Sequence, residues 1–191
     1  MDTFSYPAGD GRPLRATRLG TGPTLVLLHE SGSGAGHDHG GGLLPLARRL
    51  TDSYTVIVSE ARDADDAAAL AEHLGLGNAA VGGTGRGAVV ALRAAADHPE
   101  PFGAAVVIDA DEVLGAVGEG IDAPDGIDLS TVRVPTLVIP GTAGELARAL
   151  PQGKLANLSP CGDEDPAQWM APAVWAFLTT HLTRRPARVL V

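Results

Sequence analysis

The chain has 191 residues, which is room for one domain and not for two full ones. Hydrophobic residues make up 45% of it and charged residues 19%, enough for a sizeable core and too apolar for wholesale disorder. A net charge of −9 argues against a nucleic-acid binder, the lone Cys161 against a disulfide framework or cysteine-based zinc site, and no apolar run reaches the roughly 18 residues of a membrane span.

Taken in order, the chain alternates strands and helices. Residues 3–7 and 13–19 flank Ala8-Gly9-Asp10-Gly11, a hairpin turn by composition. The run TLVLLH (24–29) is short and continuously apolar, as a strand covered on both faces must be. A glycine-rich loop, SGSGAGHDHGGG (31–42), leads to a helix over 43–50 and a second buried strand, YTVIVS (54–59). Residues 63–74 have helical spacing, with Ala68, Leu70, Ala71 and Leu74 on the inner side. NAAVG (78–82) is a third buried strand, 83–87 a tight glycine turn, 88–97 an Ala-rich helix and AAVVID (104–109) a fourth strand. The acidic stretch 111–131 reads as a connector with one short helix. A strand over 135–139, a helix over 144–150, a strand over 154–158 and a closing helix over 166–182 follow, with Pro172 expected to delay or kink that helix.

Residues 1–183 thus form one domain, and 184–191 a tail that is either disordered or an edge strand pairing two copies as a homodimer. The opening MDTFSYPAGDGRPL lacks a signal-peptide pattern, so a cytoplasmic protein is expected. The Ala-, Gly- and Arg-heavy usage suits a GC-rich bacterial gene. Alternating strands and helices predict a mostly parallel sheet with helices on both faces and a ligand site at the carboxyl ends of its strands. That rule selects the loops 29–40, 82–87, 109–112 and 140–145, with 159–165 beside them.

Four stretches, in this order, carry a resemblance: FSYPAGDGRPLRATRLGTGPTLVLLHE, GLGNAAVGGTGRGAVVALRAAADHPE, VRVPTLVIPGTAG and GKLANLSPCGDEDPAQWMAPAVWAFL. From about residue 4 to 182 they resemble the opening hairpin and third strand, the nucleophile elbow, the acid-bearing strand and the histidine loop with closing helix of the α/β-hydrolases. The resemblance implies an α/β fold with a mostly parallel sheet of about eight strands, an N-terminal antiparallel hairpin and flanking helices. It implies a cap domain that is absent or reduced to 111–131.

The departures bear on function. The elbow motif G-x-S-x-G holds its nucleophile between two small residues. Gly83-Thr84-Gly85-Arg86-Gly87 fits that frame with Gly85 in the nucleophile's place, and glycine cannot attack. A shifted frame puts the β-branched Thr84 there, with the bulky Arg86 two residues on. The acid's place in Gly141-Thr142-Ala143-Gly144 is a glycine, although Asp109 occupies an alternative place for it. Gly162 is followed by Asp163 where the catalytic histidine is usual, and the oxyanion His-Gly reads His29-Glu30. The glycine-rich turn usual after the YTVIVS strand is missing. Acyl transfer needs a nucleophile, a base and an orienting acid, so ordinary serine esterase or peptidase activity is not expected.

His29, Glu30, Thr84, Arg86, Asp109, Cys161 and Asp163 would project into the remaining cleft, with Gly85, His37 and His39 beside it. Glu30, Asp109 and Asp163 supply carboxylates for an acid and a base. Arg86 and the helix N-terminus after the elbow suit a carboxylate, enolate or phosphate. That set fits proton transfer on a carbonyl or ester compound: isomerisation, elimination, cyclisation or lactone chemistry. The plainer alternative is that these are solvated loop residues of a protein that binds a small molecule or a partner without chemistry; a third is a weak hydrolase using Thr84. His37-Asp38-His39 is locally dense but matches no zinc motif, so no metal is expected. Gly83-x-Gly85-x-x-Ala88 meets a dinucleotide fingerprint only formally, since it does not open the chain. No cofactor is implied. Cys161 has no assured cationic neighbour and stays outside the catalytic set.

Overall fold

In the computed structural model, residues 1–29, 43–108, 127–139, 143–156, 158 and 165–182 are described. Eight strands form one sheet: β1 (Asp2–Pro7), β2 (Pro13–Leu19), β3 (Thr24–His29), β4 (Thr55–Glu60), β5 (Ala79–Thr84), β6 (Phe102–Ile108), β7 (Thr136–Ile139) and β8 (Gly153–Leu155). Among the described residues five α-helices accompany them, α1 (Leu43–Leu50), α2 (Ala64–His73), α3 (Arg86–Asp97), α4 (Ala143–Ala149) and α5 (Pro166–His181), with a 3-10 turn at Leu129–Thr131. The strand order is β1-β2-β4-β3-β5-β6-β7-β8. The β1–β2 hairpin is antiparallel and joins β4 antiparallel; the strands from β4 to β8 run parallel.

Period-two alternation sorts the sheet into two cores. Val26, Leu28, Ile57, Val81, Ala105, Val107 and Val138 face α2, α3 and α4. Leu25, Leu27, Val56, Val58, Ala80, Ala104, Val106 and Ile108 face α1 and α5. The central strands are buried on both sides, which is why β3 and β4 read as unbroken apolar runs. After β3 the chain turns to β4 on one side, then returns to place β5 on the other. The order therefore reverses between β3 and β5, and the crevice outside their carboxyl ends is where such sheets bind ligands.

Several expected boundaries move. The third buried strand runs on to Thr84, and α3 begins at Arg86 rather than residue 88, so the glycine turn shrinks to Gly85. The fourth starts at Phe102, because β5 and β6 pair that far back. β8 spans Gly153–Leu155 instead of 154–158. Helix α5 starts at Pro166 and continues through Pro172: Asp165 caps it, and the proline frees only a carbonyl at the exposed Gln168. The buried face of α2 carries Ala64, Ala67, Leu70 and Ala71, while Ala68 and Leu74 are half-buried. It also carries Asp66, whose carboxylate accepts from the Arg12 guanidinium at 3.2 Å and the Arg62 amide at 3.0 Å and ties the hairpin to the helix. Of the connector, the 3-10 turn is described, capped by Asp128; its remainder to residue 126 and the tail 184–191 lie outside the described residues.

Candidate functional site

The sharpest local geometry lies between β5 and α3. Gly85 alone makes the turn, with φ 55° and ψ −128°, a conformation that side chains resist. The backbone crowds the positions two before and two after it. A Cβ on Gly83 would stand 2.7 Å from the Leu28 carbonyl oxygen, and one on Gly87 would stand 2.8 Å from the Leu28 carbonyl carbon. The two obligatory small residues are thus Gly83 and Gly87, and the residue midway between them, at the tip, is Gly85. Thr84 is instead the last strand residue, half-buried and in register with Ile108. Arg86 is the first residue of α3 and is exposed. The first N–H groups of that 12-residue helix lack intrahelical acceptors and carry the positive end of its dipole.

Beside the turn, the carboxyl ends of the strands line up. His29 of β3 is in register with Glu60 of β4. The β3–β5 ladder ends at the Leu28–Gly83 pair, one residue before His29 and Thr84, and Thr84 pairs with Ile108 of β6. Alternation puts Glu60, His29, Thr84 and Ile108 on the same face, the one that covers α1 and α5. The sequence reading did not include Glu60: it closes the YTVIVS run one residue past the expected end. The ladder to β3 is the signal that includes it. The other named site residues, Glu30, His37, His39, Asp109, Cys161 and Asp163, lie outside the described residues. Among the described residues, no group of three His, Cys, Asp or Glu could hold a metal ion.

No known protein-family profile and no curated protein matches the sequence. Solved structures do match. An alpha/beta hydrolase from Sphaerobacter thermophilus is 22% identical, with 92% of this chain and all of that one covered, at a TM-score of 0.69. A thermophilic esterase from Thermogutta terrifontis is 18% identical over 94% of this chain and 99% of its own, at 0.70. The CarC enzyme, a serine hydrolase involved in carbazole degradation, is 17% identical over 94% and 99%, at 0.73. The chain has the α/β-hydrolase fold.

Within this hydrolase fold, a buried polar network braces the edge that carries Glu60. The Tyr6 hydroxyl lies 3.0 Å from the Ser59 hydroxyl and 3.2 Å from the Glu60 carbonyl oxygen. Burial pushes the Tyr6 phenol up to about 12, against the opposing hydrogen bond from Ser59. The neutral phenol is a donor here, and it fixes the backbone where β4 ends. Two grooves lie at the opposite, amino-terminal end of the parallel strands. One, of about 780 Å³, runs past Glu72, Leu76, Asp97 and Glu100; the other, of about 440 Å³, runs past Gly20, Thr55 and Leu74. Neither touches the elbow. No helix among the described residues is long and apolar enough to cross a membrane.

Proposed function

We propose that the protein is a small-molecule enzyme on an α/β-hydrolase scaffold that works without a serine nucleophile, by acid–base or electrostatic catalysis on a carbonyl or ester compound. One observation carries this reading: the tip of the elbow is Gly85, held by its own φ and by the close approach of Gly83 and Gly87 to Leu28. A glycine offers no attacking atom there, and it leaves space where a side chain would stand. Charge developing on a substrate oxygen is met by the first N–H groups of α3 and by the Arg86 guanidinium. Glu30, Asp109 and Asp163 supply the proton donor and acceptor, and His29, Gly85, His37 and His39 line the ligand's path. Isomerisation, elimination, cyclisation and lactone chemistry need no covalent intermediate and suit such a set. Among the structural neighbours are an esterase, an epoxide hydrolase and an N-acyl homoserine lactone degrading enzyme, which supports the α/β-hydrolase scaffold on which this reading rests.

Two further readings have support. Loss of the nucleophile equally suits a protein that binds a small molecule without transforming it. The position of Thr84 at the end of β5, one residue before the tip at Gly85, favours a weak hydrolase that uses the Thr84 hydroxyl. Pre-steady-state kinetics on a panel of activated esters and thioesters separates them. The proposal expects no burst and no turnover of esters above buffer. A stoichiometric burst that Thr84→Ala abolishes would instead establish the covalent hydrolase. Ligand affinity unchanged in Glu30→Gln and Asp163→Asn, with no chemistry on any bound compound, would establish the binding protein.

A further inference from the structure

Resting on the acid–base reading, we propose that Glu60 and His29, neighbours at the carboxyl ends of β4 and β3, form the proton-transfer pair of this site. Their backbones are register partners in a parallel ladder, where neighbouring strands stand about 4.8 Å apart. Alternation sends both side chains to the same face, toward α1 and α5. Both residues are half-buried, so each is shielded from bulk water yet reachable from the edge. His29 follows directly on the Leu28–Gly83 pair, so the two residues stand beside the elbow and the start of α3, at the point where the strand order reverses.

The position of Glu60 is fixed from behind. Its carbonyl oxygen accepts from Tyr6, and Ser59 before it is fully buried in the same network. A carboxylate on a rigid strand end is fixed in position for proton transfer. With Glu60 beside it, the imidazole of His29 takes a proton from the carbon next to a substrate carbonyl. The C–H electron pair forms the enolate C=C bond, the carbonyl π pair moves onto oxygen, and that oxygen is met by the N–H groups at the start of α3. The imidazolium exchanges its proton with solvent and then delivers a proton to carbon or to oxygen. No oxidant, reductant or co-reactant is required.

Proton exchange tests this without knowledge of the final product. The full chain is incubated in D2O with a panel of ketones, 2-oxo acids, esters and lactones, and loss of the α-proton signal is followed by proton NMR. The proposal expects exchange of at least one panel member by the wild type. It expects a loss of about 100-fold or more in His29→Gln, in line with removal of a general base. It also expects at least a tenfold loss in Glu60→Gln, with partial recovery in Glu60→Asp. Thermal melts of each variant separate loss of exchange from loss of fold, and Glu60→Gln keeps the backbone carbonyl that Tyr6 uses. Exchange that survives in folded His29→Gln and Glu60→Gln but is lost in Glu30→Gln or Asp163→Asn would overturn the pair and leave the acid–base reading standing. No exchange of any compound by the wild type would overturn both.

Discussion

At Gly85 the backbone takes φ 55° and ψ −128°, and any side chain placed there is strained by about 1–3 kcal/mol. Its neighbours differ in kind. Gly87 has no room at all, since a Cβ would meet the Leu28 carbonyl at the centre of the sheet. Gly87→Ala is therefore expected to lose about 3 kcal/mol or more, because the backbone of β3 would have to move, and Gly85→Ala distinctly less. Urea denaturation of the two variants checks that order; equal losses would contradict the account of the elbow. The sequence made this turn legible through its glycine spacing, yet it left two frames open. The positive φ at Gly85 and the close approach of 83 and 87 to Leu28 decide between them. Glu60 and Asp66 were illegible for opposite reasons. Glu60 closes an apolar run and looks like its flank, whereas Asp66 breaks the rule that acidic residues on an amphipathic helix face water. A salt bridge to Arg12, 54 residues earlier in the chain, lies behind the latter.

The hairpin of β1 and β2 is held by polar side-chain contacts as well as by its ladder to β4. It meets β4 through Tyr6 and Ser59 and meets α2 through Arg12 and Asp66. Tyr6 gives that attachment a pH dependence. Below pH 10 the phenol is protonated in both folded and unfolded chains. Above it the unfolded chain releases the proton first, so stability falls as pH rises until the folded phenol ionises near 12. The loss from this group amounts to about 2–3 kcal/mol over that window. Tyr6→Phe is expected to flatten the stability profile between pH 10 and 12 by that amount, measured by urea denaturation at fixed pH. A variant profile parallel to the wild type's would contradict the buried-phenol account. At the far edge, β8 meets α5 through Lys154, which donates to His181 at 2.8 Å. Burial and then the Lys154 charge hold the His181 imidazole below its usual range, so that contact is lost on the acid side.

For the whole molecule, element order and the two-faced sheet were readable because apolar runs of strand length alternate with helical spacing. Strand order was not a matter of periodicity: the crossover that sets β3 between β4 and β5 is read from the ladders. Boundaries shifted where pairing extended a strand beyond its apolar run, as at Thr84 and Phe102. Half of the candidate site was legible only as residue types. Glu30, Asp109 and Asp163 lie outside the described residues, and their sequence neighbourhood carries no period from which geometry could be read.

The account's central claim is that the elbow of this hydrolase fold carries no nucleophile. Intact-protein mass spectrometry after incubation with a fluorophosphonate tests it most directly, with Thr84→Ala in parallel. The account predicts that both proteins keep their unmodified mass. A stoichiometric adduct on the wild type that disappears in Thr84→Ala would contradict it and return the protein to covalent hydrolysis.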